Sequence, residues 1–209
     1  MIESIHWLGH DSFRIDAAKT IYIDPWQLKE QKKKADIVLI THEHYDHCSA
    51  EDIKKISKKE TIVIGSEQCA KQVPGIKTMK PGEKISVQGI SIQAVPAYNV
   101  NKFRMPGKPF HPKEEQKLGY AIGVSGERIY HAGDTDFIPE MSELGNIDIA
   151  LLPVSGTYVM TAEEAAHAAS VIKPKTAVPM HYGAIVGSRK DAEKFRQLCK
   201  CEVMLLEKE

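Results

Sequence analysis

At 209 residues the chain lies in the size range of one domain, and its 42% hydrophobic content is enough for a core that needs no disulfide support. Lys and Arg number 28, as do Asp and Glu, so no net field recruits nucleic acid, although a local basic patch beside a cleft can still steer an anion. Cys48, Cys69, Cys199 and Cys201 have neither zinc-ribbon nor secreted-framework spacing, no apolar run near the start suits a signal peptide, and no stretch approaches the ~18 apolar residues of a membrane span. The expectation is a cytoplasmic protein with reduced thiols and no membrane partner.

In chain order, short runs with strand character cover residues 2–7, 12–15, 20–23 and 37–41. The last is apolar from Ile37 to Ile40 and is expected to be covered on both faces. Ser49-Ala50-Glu51-Asp52 then places a hydroxyl acceptor three residues before an acid, which opens a helix. Strand runs follow at 61–64, 84–87 and 90–95. From 97 to 117, Pro106, Gly107, Pro109 and Pro112 interrupt a stretch without periodicity, the kind of long irregular loop that often covers an active site. Runs at 120–124, 128–131 and 147–152 resume the strand pattern. Thr161 and Ser188 start two further helices as Ser49 does; after Thr161, Ala162, Ala165, Ala166, Ala169 and Ile172 form a small-residue face that Pro174 ends. Runs at 176–180 and 202–206 complete the series. Strands interspersed with such helices predict one α/β layered domain over residues 1–209.

The run at 37–41 leads directly into His42-Glu43-His44-Tyr45-Asp46-His47. A rigid apolar element therefore delivers three imidazoles and a carboxylate at its end. Two His one residue apart on an extended stretch point the same way, with Cα atoms about 6.5–7 Å apart, so His42 and His44 can converge on one ion at ~2.0–2.1 Å. As the chain turns toward Ser49, Asp46 and His47 point to an adjacent position suited to a second ion.

This run resembles the His-x-His-x-Asp-His signature of the metallo-β-lactamase superfamily, residue for residue. Tyr130-His131-Ala132-Gly133-Asp134-Thr135 resembles that family's Gly-Asp-Thr element, which implies that Asp134 bridges two metals. Val178-Pro179-Met180-His181-Tyr182-Gly183 resembles its closing His element, which assigns His181 to the second ion. The resemblance covers nearly the whole chain and implies a four-layer αββα sandwich with the metal centre at one edge between the sheets. Trp7-Leu8-Gly9-His10 followed by Asp24-Pro25 is similar to a small branch that includes sugar-phosphate lactonases and uncharacterised hydrolases. One departure stands out: the family usually supplies another His to the first ion after a middle strand, and Asn99 occupies that place here. Either His10 or His111 substitutes, or the first site is weaker and more exchangeable.

The resemblance implies a metal-activated hydroxide attacking an ester, lactone or phosphodiester. His42, His44, Asp46, His47, Asp134 and His181 would hold the metal, with Asp46, Asp134 and His181 in the catalytic machinery. Zinc is the first candidate, as one or two ions, while Mn2+, Fe2+ or Ni2+ suit the same ligands; the redox di-iron branch carries a Glu where His44 stands. Lys102, Arg104, Lys108, Lys113 and Lys117 outnumber Glu114 and Glu115 in the irregular loop, so an anionic small-molecule substrate is expected, with Asn99, Lys102, Arg104 and Tyr182 as candidate contacts. An ordinary solvated loop is the alternative. Competing functions are a small phosphodiesterase or nuclease, against which neutral net charge weighs, and a non-catalytic metal-binding protein. His131 and Asp136 are candidates for orienting a ligand, Cys48 for a packed thiol, and an oligomer is compatible with the sequence.

Overall fold

The computed structural model describes residues 2–209. Strands β1 (Ile5–Gly9), β2 (Ser12–Asp16), β3 (Thr20–Ile23), β4 (Ile37–Ile40), β5 (Ile62–Gly65) and β6 (Lys77–Thr78) form a first sheet in that spatial order. Pairing is antiparallel from β1 to β3 and parallel from β3 to β6. Next along the chain come β7 (Lys84–Val87), β8 (Ile90–Pro96), a small separate hairpin of β9 (Phe103–Met105) and β10 (Lys108–Pro109), then β11 (Leu118–Val124), β12 (Glu127–His131), β13 (Ile149–Pro153), β14 (Thr176–Met180) and β15 (Glu202–Val203). The second sheet has the order β15-β14-β13-β12-β11-β8-β7, antiparallel from β7 to β12 and parallel from β12 to β15.

Strand β4 shows why the sheets stack as they do. Its side chains alternate with period two: Ile37 and Leu39 join the main core with Phe13, Ile92 and Ile122, whereas Val38 and Ile40 join a second cluster with Cys48, Ile53 and Ile56. All four β4 residues are buried, so the strand is covered on both faces, as its unbroken apolar run predicts. Helix α1 (Ala50–Ile56) supplies Ile53 and Ile56 to the outer cover of the first sheet. Helices α2 (Ala162–Ile172) and α3 (Arg189–Leu198) pack on β13 and β14 of the second. The result is the helix–sheet–sheet–helix arrangement.

All three helix starts lie where the sequence places them. Ser49 Oγ accepts from Asp52 N, Thr161 and Glu164 exchange both capping bonds, and Ser188 N donates to Asp191 Oδ2. On α2 the buried face is Ala162, Ala165, Ala168, Ala169 and Ile172, with Ala166 at its half-buried margin rather than within it. Lys173 ends that helix in the left-handed region, φ 55°, because the residue before Pro174 is excluded from continuing the helical turn. Elsewhere the run at 2–7 begins with a 3-10 turn, Ile2–Ser4, and only Glu202–Val203 of the run at 202–206 pairs with the sheet. The irregular stretch from 97 to 117 contains the β9–β10 hairpin, which its prolines conceal. Among the described residues, no helix is long and apolar enough to cross a membrane.

Two hydrogen bonds tie the sheets where β4 ends: Tyr120 Oη donates to Ile40 O at 2.7 Å, and Leu118 N to Thr41 O at 3.0 Å. Gly133 passes through the same narrow space with φ 65°, and a Cβ there would lie 2.5 Å from Leu118 O and 3.3 Å from Thr41 Cβ. Both the backbone conformation and the close approach exclude a side chain. Gly133→Ala is therefore expected to cost about 2–4 kcal/mol in urea unfolding, from the left-handed conformation and the overpacking together. A cost below about 0.5 kcal/mol, the range of ordinary surface substitutions, would show that the approach is not constrained.

Candidate metal centre

The functional side chains gather because several strands end at one edge. Asp24 follows β3 and His42 follows β4 closely, in parallel neighbours of the first sheet; Asp134, Ser155 and His181 follow β12, β13 and β14, parallel neighbours of the second. The carboxyl ends of parallel strands lie side by side, which is where open α/β sheets place their sites. The two-residue turn His10-Asp11 between β1 and β2 reaches the same edge, and His111 arrives from the segment after β10.

Three donor clusters result, each with its ligand atoms within 4.8 Å of one another: His42, His44 and His111; Asp11, His47, Asp134 and His181; and His10, His47 and His181. Asp134 lies between them. Its Oδ2 is 3.5 Å from His111 Nε2 and 3.4 Å from His181 Nε2, and its Oδ1 is 3.5 Å from His47 Nε2. Asp46 Oδ2 stands 3.6 Å from His47 Nε2. Two ligands of a tetrahedral ion bound at ~2.0–2.1 Å are about 3.3–3.4 Å apart. The observed separations are close to that edge and long for N–H···O hydrogen bonds.

Unsatisfied atoms point the same way. His47 Nε2, Asp134 Oδ1 and both oxygens of Asp11 are buried without a hydrogen-bond partner, and burial of lone pairs and negative charge is costly unless a cation or donor compensates. The donor set and its orphaned atoms thus fit divalent cations. Four of the histidines have the opposite ring nitrogen engaged: His42 Nδ1 with Thr41 Oγ1 at 3.0 Å, His47 Nδ1 with Asp24 Oδ2 at 2.8 Å, His111 Nδ1 with Asn99 Oδ1 at 3.0 Å, and His181 Nδ1 with Ser155 Oγ at 2.9 Å, whereas His10 Nδ1 is buried without a partner. Each partner fixes ring orientation, leaving Nε2 to face the centre. His44 instead turns Nδ1 inward, 2.9 Å from His42 Nε2. Backbone strain collects here too, since His10, Asp24 and His181 adopt φ of 53°, 44° and 60°, a region that L side chains seldom occupy.

Electrostatics separate the two positions before any ion binds. Burial drives His42 well below the ordinary histidine range and His111 down to about 4. At His47 and His181 burial also pulls downward, but the carboxylate of Asp134 and its acidic neighbours outweigh it, raising His181 to about 9 and His47 well above its usual value. The first position is neutral and ready; the second holds protons that an ion must displace.

His111, not Asn99, is the third imidazole of the first cluster, and Asn99 holds it by accepting from His111 N at 2.9 Å. His10 belongs to the second position, with its Nε2 3.2 Å from Asp46 Oδ2. Of the other candidates, Arg104 and Cys48 are placed as the sequence suggests and several are not. Lys102 pairs with Glu164 at 2.7 Å and Asp136 at 3.4 Å, Lys113 with Glu140 at 2.8 Å, and buried Lys117 with Glu43 at 2.6 Å, so most of the loop's positive charge is neutralised. Tyr182 stacks on Trp7, ring centroids 4.9 Å apart, and stands outside the lining of the cavity over the centre, as do Asn99 and Lys102; Arg104 belongs to that lining. Asp136 orients no histidine and instead accepts from Val100 N and Asn101 N. His131 Nε2 bonds to Asp11 O, and Cys48 is a buried thiol. Asp11, Asp24, Thr41 and Ser155 were not foreseen as parts of the centre. Asp24 and Ser155 carried a usable signal, a polar residue just beyond an apolar strand run.

Similarity to known proteins agrees with this geometry. Residues 4–181 match the beta-lactamase superfamily domain family. A UPF0173 metal-dependent hydrolase of Thermoplasma acidophilum is 35% identical over 211 residues, covering 93% of this chain and 89% of the relative. The crystal structure of a Parabacteroides distasonis protein described as a metal-dependent hydrolase superposes with a TM-score of 0.86 at 36% identity, covering 98% of this chain and 93% of that one. A protein of Thermotoga maritima described as a Zn-dependent hydrolase of the metallo-β-lactamase superfamily shares the fold, with a TM-score of 0.69 at 22% identity and 98% coverage of both chains.

The charge difference between the positions sets a pH dependence. A ligand with a raised pKa competes with the ion below that pKa, so the affinity of the second position rises with pH up to about 9, the value for His181. The first position, with His111 already deprotonated above about 4, stays flat. Chelator-competition titrations between about pH 6 and 8 are expected to show one pH-independent affinity and one that tightens about tenfold per pH unit for each displaced proton. Two flat affinities would contradict the assignment.

Proposed function

Because the chain belongs to the metallo-β-lactamase superfamily, among its UPF0173 metal-dependent hydrolases, we propose that it cleaves a small ester, lactone or phosphodiester bearing one anionic group. The observation that carries this reading is Arg104. Its side chain lines a cavity of about 330 Å³ that opens on His44, Asp46, His111 and Asp134, and it is the one Lys or Arg among the described lining residues. The guanidinium lies 5.7 Å from the Phe110 ring centroid and has no carboxylate partner among the described residues. A planar cation beside an aromatic face and without a counter-ion suits bidentate capture of a carboxylate or phosphate. Phe110 also meets Tyr158 edge-on at 4.7 Å, giving the cavity an aromatic wall for the substrate's apolar body. Its volume is at the lower end for small-molecule sites.

Bound divalent ions supply Lewis acidity and bring the pKa of water from 15.7 to about 7, and zinc is the first candidate on the His42, His44 and His111 imidazoles. Asp46 lines the cavity and remains a carboxylate at neutral pH: burial would raise its pKa, but the hydrogen bond from His10 and the charge of His47 hold it below the usual range. A group so acidic is a poor general base. Its role is to accept a hydrogen bond from the attacking water and align it, while His10 fixes the carboxylate. Asp134 sets the spacing between the two positions, and Ser155 holds His181 against it.

Turnover of a panel of small lactones, aryl esters, thioesters and phosphodiesters tests the reading. Activity is expected to vanish on chelation, return with Zn2+ or Mn2+, and fall at least about 1000-fold in Asp134→Ala, as when a reacting centre loses its ligand geometry. Full turnover after metal removal would refute it. In Arg104→Met, KM for an anionic substrate is expected to rise about 10- to 100-fold, the worth of one charge-assisted hydrogen-bonded contact, with little change for a neutral analogue of the same shape. Equal losses on both substrates would remove Arg104 from substrate recognition.

A further inference from the structure

At the turn between β1 and β2, Asp11 is 0% exposed, no N–H or hydroxyl donor meets either of its carboxylate oxygens, and its Oδ2 lies 3.9 Å from His47 Nδ1. Burial, with the Asp134 carboxylate beside it, pushes its pKa well above the usual carboxylate range, so an ion would take the place of a proton there. Neighbouring buried carboxylates are provided for. Asp24 accepts from Thr41 N and Thr41 Oγ1 and faces His47 Nδ1, and Asp136 accepts from Val100 N and Asn101 N. An aspartate in a turn usually binds a nearby backbone N–H; Asp11 does not. Nor can the turn swing outward freely. His131 Nε2 bonds to Asp11 O at 3.0 Å, while Trp7 Nε1 and His181 N donate to His10 O at 2.8 and 3.2 Å. The scaffold holds a buried, unsatisfied carboxylate within 4.8 Å of the ligand atoms of His47, Asp134 and His181.

We propose that Asp11 is a ligand of the second ion, forming with His47, Asp134 and His181 a set of two imidazoles and two carboxylates. The inference rests on the two-ion reading of the centre and is independent of the substrate. None of the sequence elements that resemble the family's metal-binding signature contains Asp11, so its part follows from burial and position alone. The added carboxylate makes the second position richer in oxygen than the three-imidazole first position, and so more receptive to Mn2+ or Fe2+ beside a nitrogen-bound Zn2+.

The full-length chain and Mn2+ alone provide the test. Asp11→Asn preserves size and removes the charge. Titration followed by the paramagnetic resonance of free Mn2+ is expected to give two equivalents in the unmodified protein. In the variant, the second Kd rises at least about tenfold and the first stays unchanged. An unchanged second Kd overturns this proposal alone; failure of the unmodified chain to bind any ion overturns it together with the two-ion reading. If Asp11→Asn does not fold, a crystal structure of the Mn2+-loaded protein decides. An Asp11 oxygen bound to an ion supports the proposal, and a second ion held without it overturns it.

Discussion

Imidazoles from His10, His42, His44, His47, His111 and His181 and carboxylates from Asp11, Asp46 and Asp134 are brought together where water is largely excluded. Such a group is unfavourable on its own, because buried lone pairs and like charges face one another without the dielectric of water to screen them. The field of Asp134 is strong enough to hold a proton on buried His181 up to about 9, against the desolvation that would remove it. Divalent cations resolve the conflict. Other local features serve to prevent a different resolution: strained backbone at His10, Asp24 and His181, outward ring nitrogens of His42, His47, His111 and His181 tied to partners, and a glycine where the two sheets nearly touch.

That arrangement follows from the way each sheet is built. Antiparallel pairs begin it and parallel pairs end it, so β3 with β4 and β12 with β13 and β14 present their carboxyl ends at one edge. Stacking of the sheets then superimposes the two sets of strand ends. Tyr120 and Leu118 bond across to Ile40 and Thr41 beside the metal-binding run, so the register of the layers and the spacing of the ligands are one constraint. Helices on the outer faces supply apolar cover, and they leave the edge open to a cavity walled by Phe110 and Tyr158.

Much of the centre was legible because it is local. His42, His44, Asp46 and His47 follow one apolar strand, and their spacing implies two adjacent ligand positions, the first for His42 and His44 and the second for Asp46 and His47. Asp134 and His181 are distant in sequence, and only the family resemblance joined them to that run. His111 remained one of three alternatives, beside His10 and a weaker first site, because nothing periodic in residues 97–117 shows how the chain folds back, and Asn99, offered as a substrate contact, turned out to hold His111. The basic character of that loop misled for a related reason. Charges counted by sequence neighbourhood ignore partners far away, and Lys102 finds Glu164 while Lys117 finds Glu43. Asp11 was hidden by its commonness: an aspartate in a two-residue turn is unremarkable until the structure shows that no donor meets it.

Function depends on a division of labour among chemically similar groups. Asp24 holds the His47 ring, Asp134 lies between the donor clusters and Asp46 lines the cavity, so burial and distinct neighbours set three carboxylates apart. Elemental analysis of the purified chain by plasma mass spectrometry, followed by exhaustive chelation and refilling, tests the central claim most directly. The account predicts about two transition-metal equivalents per chain, removable and restorable, with a melting temperature that climbs with added metal as ligand-linked stability requires. A chain that folds to the same melting temperature with no metal and takes up none when it is offered would contradict it.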